Sequence, residues 1–398
     1  MSHYVIVGNG VAGTTAAENI RKLDPQGPIT IFTDEAVPFY NRLRLNEYLA
    51  GEIAEEQLIG KPQDWYRRHG IDLNLSTPVV AGDPDKKTVR TADGQEFSYD
   101  VLLLANGSHS FVPPIQGADQ KGVFTLRTIQ DYRDTLALAQ EVRKVVLIGG
   151  GLLGLEAGNG LLRQDKEVLV VEFFPRLLPR QLDDEGARRL RLILEEKGFT
   201  FKLGAQAREI GGRERVEDVR LEGGEVLEAG LVLISAGVRP NLELARSMGL
   251  EVNRGVKVDG RLQTSVEDVY AAGDVAEFNG ANYGIWPAAR EQGQYAGINM
   301  AGGDSLYHGT TMANILKVIG VAVASAGDID ADNRLESVID ARQGIYRKLV
   351  LAPEGNIAGC IMLGDITGFN KVVQAMGKGQ PYSDISEDLQ FSGNQSQG

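Results

Sequence analysis

Cysteine is almost absent from this chain. Among its 398 residues only Cys360 is a cysteine, so the chain can form no internal disulfide, no CxxC redox pair and no cysteine-ligated iron–sulfur or zinc site. Cys360 lies in an apolar stretch, which favours a buried small side chain over a reactive thiol. We expect no metal site.

An excess of positive charge is also missing. The chain has 41 Lys and Arg against 54 Asp and Glu, a formal net charge of −13. Without a basic stripe it cannot neutralise the phosphates of a nucleic acid, so a nucleic-acid partner is not expected. The acidic balance favours solubility or a partner with a basic docking face.

Long apolar runs are absent too. The longest, 318–326, is too short to cross a bilayer, so no membrane association is expected. The N-terminus enters its first strand without the charged and apolar regions of a signal peptide. We therefore expect a cytoplasmic protein, and the length allows two or three domains.

What the sequence does contain is a glycine motif near its N-terminus. The apolar strand Tyr4–Val7 runs into Gly8-x-Gly10-x-x-Gly13 and then into a small-residue helix that includes Ala12. This order is typical of a dinucleotide phosphate site. Gly8 permits the tight turn, Gly10 lets a pyrophosphate approach the helix N-terminus, and Gly13 lets the helix lie on the sheet.

A carboxylate follows the next predicted strand at the expected place. The strand 28–33 ends in Asp34-Glu35, at about the 20-residue spacing of a group that binds an adenosine ribose. The alternative is an ordinary strand–turn–helix unit.

The same pattern occurs a second time. Strand 144–148 leads into Gly149-x-Gly151-x-x-Gly154 and a helix, and the strand 166–171 ends in Glu172. Segments 198–203, 223–224 and 230–237 then repeat the order of 70–75, 93–94 and 100–107. The chain therefore carries two copies of one dinucleotide-binding module.

Two modules imply two dinucleotides. Glu172 is followed by Phe173 and Phe174 rather than by an arginine for a 2′-phosphate, which favours NADH over NADPH. Arg176 and Arg180 lie a few residues further on and offer positive charge for a 2′-phosphate, so NADPH is the alternative. A flavin is the expected companion of NADH in such a chain.

Further motifs carry a family resemblance. Both glycine motifs in this order, with 236–241 (AGVRPN) and 269–275 (VYAAGDV), resemble the FAD-dependent pyridine nucleotide oxidoreductases. Within that family, 40–51 and 284–293 are most similar to NADH:rubredoxin oxidoreductases and to the flavin part of nitrite reductase large subunits. The resemblance covers nearly the whole chain and fades after about residue 379.

The resemblance implies an α/β fold with two Rossmann-like domains, one inserted in the other, and a smaller α+β C-terminal domain. We expect an FAD-binding domain at 1–112 and 240–305, an NAD-binding domain at 113–239, a C-terminal interface domain at 306–382 and a polar, frayed tail at 383–398. Such C-terminal domains often form interfaces, so an oligomer formed through this domain stays open as a possibility.

The resemblance also assigns cofactor-binding residues. It places Asp34 at the adenosine ribose, Arg42 at the FAD phosphates, Asp274 at the ribityl chain and Arg127 at the flavin. The helix that begins near Trp286 would direct its N-terminus at the flavin pyrimidine ring. The full set is Gly8, Gly10, Ala12, Gly13, Asp34, Arg42, Val79, Ala105, Arg127, Gly273, Asp274 and Trp286 for FAD, and Gly149, Gly151, Gly154, Glu172 and Gly237 for NAD.

Two glutamates are the implied catalytic residues. Glu156 resembles the glutamate that faces the nicotinamide and the flavin, although a helix-surface glutamate is the alternative. Several relatives have a lysine where this chain has Glu47, and that lysine pairs with the glutamate matched by Glu156. Here two carboxylates would face each other, so either one is protonated or the site is built differently. Asn106 replaces a usual threonine, a change that we interpret as tolerated.

The redox cysteines of the family's disulfide reductases are missing, and this shapes the predicted function. We expect hydride transfer between NADH and FAD, and electron transfer between FAD and a separate protein, either a rubredoxin-like carrier or a partner enzyme subunit, in either direction. The alternatives are an NADH oxidase that reduces oxygen and a flavin-bound redox-sensing interaction protein.

Overall fold

The structure, a computed structural model, describes residues 1–310, 313–389 and 394–395. The chain divides into two units. The first comprises Met1–Leu45, Ile53–Ser110 and residues 238–310, and the second comprises Asn46–Glu52, Phe111–Gly237 and the described residues from 313 onward. Each unit contains one copy of the repeated module, and the second also contains the C-terminal region.

The strands and helices are numbered along the chain. The strands are β1 Tyr4–Val7, β2 Ile29–Phe32, β3 Ile71–Asn74, β4 Val79–Asp83, β5 Thr88–Thr91, β6 Glu96–Ser98, β7 Val101–Leu104, β8 Ser108–Ser110, β9 Val123–Thr125, β10 Lys144–Ile148, β11 Glu167–Glu172, β12 Thr200–Leu203, β13 Ala207–Gly211, β14 Asp218–Leu221, β15 Val226–Glu228, β16 Leu231–Ile234, β17 Val238–Pro240, β18 Val256–Val258, β19 Val269–Ala271, β20 Ala276–Phe278, β21 Ala313–Val318, β22 Val321–Gly327, β23 Glu336–Arg342, β24 Ile345–Leu351, β25 Ile357–Leu363 and β26 Asn394–Gln395. The helices are α1 Val11–Leu23, α2 Leu45–Leu49, α3 Gln63–Arg68, α4 Ile129–Ala139, α5 Leu152–Leu162, α6 Asp184–Glu196, α7 Glu243–Ser247, α8 Trp286–Met300, α9 Phe369–Gly377 and α10 Ser386–Leu389, with 3₁₀ turns at Arg42–Arg44, Glu55–Leu58 and Tyr382–Asp384.

A parallel five-stranded sheet of order β19-β7-β1-β2-β3 forms the centre of the first unit. All four residues of β1, β2 and β7 are buried, as expected for apolar strands of a parallel sheet covered on both faces. Helices α1 and α8 share a core with this sheet. They lie very close together because Gly293 has no Cβ, which would be 2.3 Å from the Ala12 carbonyl oxygen.

The second unit repeats this architecture. Its parallel sheet has the order β12-β11-β10-β16-β9, and a three-stranded antiparallel sheet, β13-β14-β15, corresponds to β4-β5-β6 in the first unit. The two sheets differ in one edge strand. In the first sheet the edge strand beside β7 is β19, which follows the module in the chain, whereas in the second sheet the edge strand beside β16 is β9, which precedes the module. The predicted α/β fold with two copies of one module is confirmed.

The C-terminal region forms a six-stranded sheet of order β21-β22-β25-β24-β23-β26. Helices α9 and α10 contribute to its core. The expectation of a frayed tail is wrong for 383–389, because Ile385 and Leu389 are buried in that core. Residues 390–393 and 396–398 of the predicted tail lie outside the described residues. The domain boundaries given above stay a prediction.

A buried charged cluster joins the C-terminal sheet to α6 within the second unit. Asp183 caps α6 by accepting a hydrogen bond from the Gly186 N–H at 2.9 Å. Its other carboxylate oxygen accepts a hydrogen bond from the Tyr346 hydroxyl at 2.6 Å and lies 3.2 Å from Lys348 Nζ. Lys348 is fully buried and also donates to the Asp330 carbonyl oxygen at 3.0 Å. Burial, together with the Asp183 carboxylate, raises the pKa of Tyr346.

Removing the charge of Lys348 should therefore destabilise the protein. Lys348→Met leaves Asp183 buried without its counter-charge, and we expect a loss of about 3 kcal/mol or more in the free energy of unfolding. Urea denaturation followed by circular dichroism measures this loss. The exposed Lys378→Met serves as the control and should change stability by less than about 0.5 kcal/mol. Equal effects from the two variants would contradict the role of the buried cluster.

Candidate functional site

In the first unit, three strand ends bring the predicted residues together. Strands β1, β7 and β19 are adjacent and parallel, so their carboxyl ends meet at one edge of the sheet, where α/β proteins bind ligands. A Cβ on Gly8 would lie 2.1 Å from the Ala105 carbonyl oxygen. A Cβ on Gly273, which has a φ of +84°, would lie 3.0 Å from the Ala12 Cβ. The turn that contains Gly273 also carries Asp274.

The three glycines of the first motif have different physical roles. Gly8 has a φ of +113°, and a Cβ on Gly13 would lie 2.0 Å from the Gly8 carbonyl oxygen, so the fold itself requires glycine at both positions. Gly10 has an ordinary φ of −80°, and a Cβ there would meet nothing within 4 Å. The space beside Gly10 at the start of α1 therefore fits a pyrophosphate.

The second motif shows the same division. A Cβ on Gly149 would lie 2.3 Å from the Ser235 carbonyl oxygen, and one on Gly154 would lie 2.8 Å from the Gly149 carbonyl oxygen. A Cβ on Gly151, at the start of α5, would again meet nothing within 4 Å. Gly237, which follows β16 with a φ of +97°, lies two residues beyond Ser235. Both modules therefore leave space beside the middle glycine.

Side chains from distant segments fix the Asp274 turn. The Asp274 carboxylate accepts a hydrogen bond from the Ser108 hydroxyl at 2.7 Å, and its carbonyl oxygen accepts one from Asn282 Nδ2 at 2.7 Å. The Gly273 N–H donates to Gln292 Oε1 at 2.8 Å, and Gln292 is buried. Sequence analysis missed Ser108, Asn282 and Gln292 as site residues, because nothing local in the sequence links them to Asp274.

Arg42 lies among acidic groups in the first unit. It forms an ion pair with Glu35, which also accepts a hydrogen bond from the Tyr40 hydroxyl at 2.5 Å. Burial lowers the pKa of Arg42, but the nearby charges, including those of Glu35, Asp274 and Asp34, raise it overall. The guanidinium therefore keeps its charge for an anionic ligand. Glu35, which sequence analysis passed over in favour of the exposed Asp34, is the carboxylate that Arg42 contacts.

Two asparagines at this edge keep a buried amide atom without a hydrogen-bond partner among the described residues: Asn9 Nδ2 and Asn106 Oδ1. Asn9 stands between the first two glycines, and its Oδ1 accepts a hydrogen bond from the Tyr66 hydroxyl at 2.9 Å. Burial raises the pKa of Tyr66 to about 12. A buried polar atom without a partner is costly, so these atoms fit a site that binds a polar ligand.

The remaining residues predicted for the first site occupy suitable elements. Trp286 is the first residue of α8, and its ring centre lies 6.0 Å from that of Phe39. Because the N-cap residue is Ile285, its side chain cannot accept hydrogen bonds from the first N–H groups of α8. Val79 opens β4 and is half-buried. Contacts of Asp34, Arg42, Val79, Asp274 and Trp286 with FAD stay predictions.

Glu172 lies beside the glycine loop of the second module. It is buried, and its carboxylate accepts hydrogen bonds from the Gly150 N–H and from the Phe174 N–H, the latter at 2.8 Å. Glu172 is the last residue of β11, where it pairs with Leu203 of β12, and it lies one residue past the last pair of β10 with β11, Ile148 and Val171. In the first module the same position is occupied by Thr33, so the acidic pair comes one residue later.

Glu156 makes a contact that the sequence did not reveal. It is half-buried on α5, and its Oε1 accepts a hydrogen bond from the Ile319 N–H at 2.9 Å. Glu47 lies in the segment Asn46–Glu52, which belongs to the same unit as α5. That Glu47 and Glu156 face each other stays a prediction, and so does their catalytic role.

Arg127 precedes α4 in the second unit. Its backbone N–H donates to Asp131 at 2.9 Å as part of the capping of that helix. Its contact with a flavin stays a prediction. Among the residues that the structure describes, no group of His, Cys, Asp and Glu side chains is arranged to hold a metal ion. In the same residues, no helix has the length and apolar character needed to cross a membrane.

Two parallel sheets, each with a glycine loop that leaves space beside its middle glycine, define a protein with two dinucleotide-binding modules. The family model described as pyridine nucleotide-disulphide oxidoreductase matches residues 2–293. The model described as rubredoxin NAD+ reductase C-terminal domain matches residues 313–380. The chain therefore belongs to the pyridine nucleotide-disulphide oxidoreductase family, whose members use FAD and NAD(H).

Individual relatives support this assignment. The chain is 39% identical over 393 residues to nitrite reductase [NAD(P)H] of Bacillus subtilis (strain 168), covering 98% of this chain and 48% of that protein. It is 32% identical to NADH oxidase of Methanocaldococcus jannaschii, covering 90% and 87%. The crystal structure of NADH:rubredoxin oxidoreductase from Clostridium acetobutylicum matches with a TM-score of 0.85 at 29% identity, covering 97% of each chain. The chain spans about half the length of several curated relatives that it matches.

The middle glycines allow a paired test of the two sites. Gly10→Val should fold but be purified with less than about a tenth of the FAD of the wild type, because the new side chain fills the phosphate space. Gly151→Val should keep its FAD and lose NADH binding. The ratio of flavin to protein absorbance and a titration with NADH measure these effects. Each variant is the control for the other, and full flavin content in Gly10→Val would contradict the assignment.

Cys360 should be chemically inert in the folded protein. It is fully buried in β25, and burial raises the pKa of its thiol to about 12, so the reactive thiolate is scarce near neutral pH. We expect no reaction with a chromogenic thiol reagent until denaturant is added, and then one thiol per chain. Rapid reaction of the native protein would show that Cys360 is accessible.

Proposed function

We propose that the protein is an FAD-containing, NADH-dependent oxidoreductase that exchanges electrons with a separate redox protein. The observation that carries this proposal is the pair of modules, each with a glycine loop open for a ligand at the middle glycine. Two such sites in one chain are suited to a resident flavin dinucleotide and an exchangeable nicotinamide dinucleotide.

In the first module the residues bind and orient FAD. The start of α1 beside Gly10 offers free N–H groups to the pyrophosphate, and Arg42 adds a positive charge. Asp274, which accepts a hydrogen bond from Ser108, would bind the ribityl hydroxyls. The N-terminus of α8 would favour negative charge on the flavin ring. When bound, the flavin and the nicotinamide supply hydride transfer and the change from two-electron to one-electron chemistry.

In the second module Glu172 selects the dinucleotide. Its carboxylate is held at the glycine loop by the Gly150 and Phe174 N–H groups. A carboxylate there can accept hydrogen bonds from ribose hydroxyls and repels a 2′-phosphate, which favours NADH over NADPH. Glu156, on the helix that starts at the same loop, is the residue that would face the nicotinamide.

The electrons must leave the chain because it has no redox cysteine to receive them. Its one cysteine, Cys360, is buried with a raised pKa. A protein acceptor is supported by the similarity to NADH:rubredoxin oxidoreductase, and a partner enzyme by the similarity to nitrite reductase. The physiological partner is accordingly a rubredoxin-like carrier or an oxidoreductase subunit, with electron flow in either direction. Location in the cytoplasm and an oligomer through the C-terminal domain stay predictions.

One observation favours a second function. The relative from Methanocaldococcus jannaschii is named NADH oxidase, and the match covers 87% of that protein. An oxidase would send both electrons to oxygen. The lack of an accessible cysteine for handling peroxide chemistry makes this the second candidate.

The two functions are separated by one steady-state experiment. NADH oxidation is measured with rubredoxin as acceptor under argon, and oxygen uptake is measured with NADH in air without rubredoxin. We expect the rubredoxin rate to exceed the oxygen rate at least about tenfold, since one-electron transfer to a docked carrier needs no oxygen-activating group. Oxygen uptake at a similar rate would favour the oxidase.

The role of Glu172 is tested by substitution. Glu172→Ala removes the acceptor for the ribose hydroxyls and the charge that repels a 2′-phosphate, so the ratio of kcat/KM for NADH over NADPH should fall about tenfold or more. Glu167→Ala, an exposed glutamate on the same strand β11, is the matched control and should leave the ratio unchanged. An unchanged ratio in Glu172→Ala would mean that the ribose lies elsewhere.

A further inference from the structure

A single charged residue interrupts an otherwise uncharged helix beside the second glycine loop. Glu156 is the one charged residue of α5 (LLGLEAGNGLL). It is half-buried, and its Oε1 accepts the Ile319 N–H at 2.9 Å. A half-buried carboxylate is costly unless hydrogen-bonded, so the Ile319 N–H contributes to holding this side chain in place.

The donor of this hydrogen bond lies in a strained turn. Strand β21 ends at Val318 and β22 begins at Val321, so Ile319 and Gly320 form a two-residue hairpin loop. Their φ angles are +53° and +85°, the pattern of a type I′ turn. That turn favours Asn-Gly, and a β-branched residue rarely adopts a positive φ.

A strained backbone conformation of this kind is stable only where the surrounding structure holds it in place. Ile319 and Val318 are buried, and the hydrogen bond to Glu156 holds the Ile319 backbone from outside the hairpin. The turn and the carboxylate therefore fix each other.

Helix α5 is itself rigidly placed. A Cβ on Gly158 would lie 2.8 Å from the Phe199 ring, and one on Gly160 would lie 3.3 Å from the Ala50 backbone nitrogen, so the helix packs closely on both neighbours. Glu156 lies five residues after Gly151, which is about 7.5 Å along the helix axis. Because the helix is closely packed, a small displacement of the hairpin turn would mainly change the position of the Glu156 carboxylate and not that of the helix.

We propose that the Ile319–Gly320 turn is a positioning element of the nicotinamide site: its N–H fixes the orientation of the Glu156 carboxylate. The proposal rests on the function proposed above, in which α5 borders the NADH site. It makes the C-terminal domain a contributor to hydride transfer and not only an interface domain. Ile319 is a positioning residue, because it acts through Glu156.

The contact itself is tested first, without nicotinamide. Hydrogen exchange of the Ile319 amide is followed by mass spectrometry in the FAD-loaded wild type, in Glu156→Gln and in Glu156→Leu. Glu156→Leu removes the acceptor, so exchange should be about tenfold faster, whereas Glu156→Gln keeps a carbonyl acceptor and should retain most of the protection. Equal exchange in the wild type and Glu156→Leu would overturn the proposal.

The consequence for the reaction is tested from the hairpin side. Gly320→Val puts a β-branched residue at a φ of +85° and should displace the turn. The matched control is Gly344→Val, which strains the β23–β24 turn of the same sheet at a φ of +73°. We expect flavin reduction by NADH to slow about tenfold in Gly320→Val with a KM change below about twofold, because Glu172 and the glycine loop still bind the adenosine half. Gly344→Val should leave both parameters unchanged.

The outcomes separate this proposal from the proposed function. If NADH fails to reduce the wild-type flavin, the proposed function is wrong, and the exchange experiment still decides whether Glu156 holds the turn. If the wild type is reduced and Gly320→Val is reduced equally fast, the positioning role is wrong and the function stands. Equal slowing in Gly320→Val and Gly344→Val, or a rise in KM without a slower reduction, would indicate general loosening of the sheet and would also overturn the proposal.

Discussion

The close approach of two backbone segments at the first glycine of each motif is the constraint on which both modules depend. A Cβ on Gly8 would lie too close to the backbone at the end of β7, and a Cβ on Gly149 would lie too close to the backbone at the end of β16. The third glycine packs against the first, so the position of the helix relative to the strand is fixed. The middle glycine is then the one position in each motif where the protein leaves space, so the same packing that fixes the fold also forms the ligand site.

The modules differ in how they satisfy their acidic groups. In the first, Glu35 is neutralised by Arg42 and accepts from Tyr40. In the second, the Glu172 carboxylate accepts hydrogen bonds from the Gly150 and Phe174 N–H groups. A charge-balanced site suits a cofactor that stays bound with its phosphates, whereas the carboxylate that we propose for the ribose suits discrimination between incoming dinucleotides. At the equivalent position after these strand pairs, the first module has Thr33 and the second has Glu172.

Features that are encoded locally can be predicted from the sequence. The apolar strands, both glycine loops and the position of Glu172 are patterns of spacing within about 30 residues, and the module repeat is the recurrence of those patterns. Contacts between distant segments cannot be predicted in this way: Ser108 and Asp274 are 166 residues apart, and Glu156 and Ile319 are 163 apart. The ion pair of Arg42 with Glu35 could not be predicted for a different reason: Asp34 and Glu35 are adjacent acids that differ only in which face of the chain they present, and that depends on the strand register.

The C-terminal sheet is joined to the second module by polar contacts of high directionality. Asp183, at the start of α6, contacts Tyr346 and Lys348, and Glu156, in α5, contacts the β21–β22 turn. Apolar packing alone would tolerate sliding of the sheet, but hydrogen bonds to buried charged groups are lost over a displacement of about 1 Å. Two such contacts, on two different helices, hold the sheet at two separate points. The C-terminal sheet is thus held against two helices of the second module, and this is the physical basis of the positioning role that we propose for the Ile319 N–H.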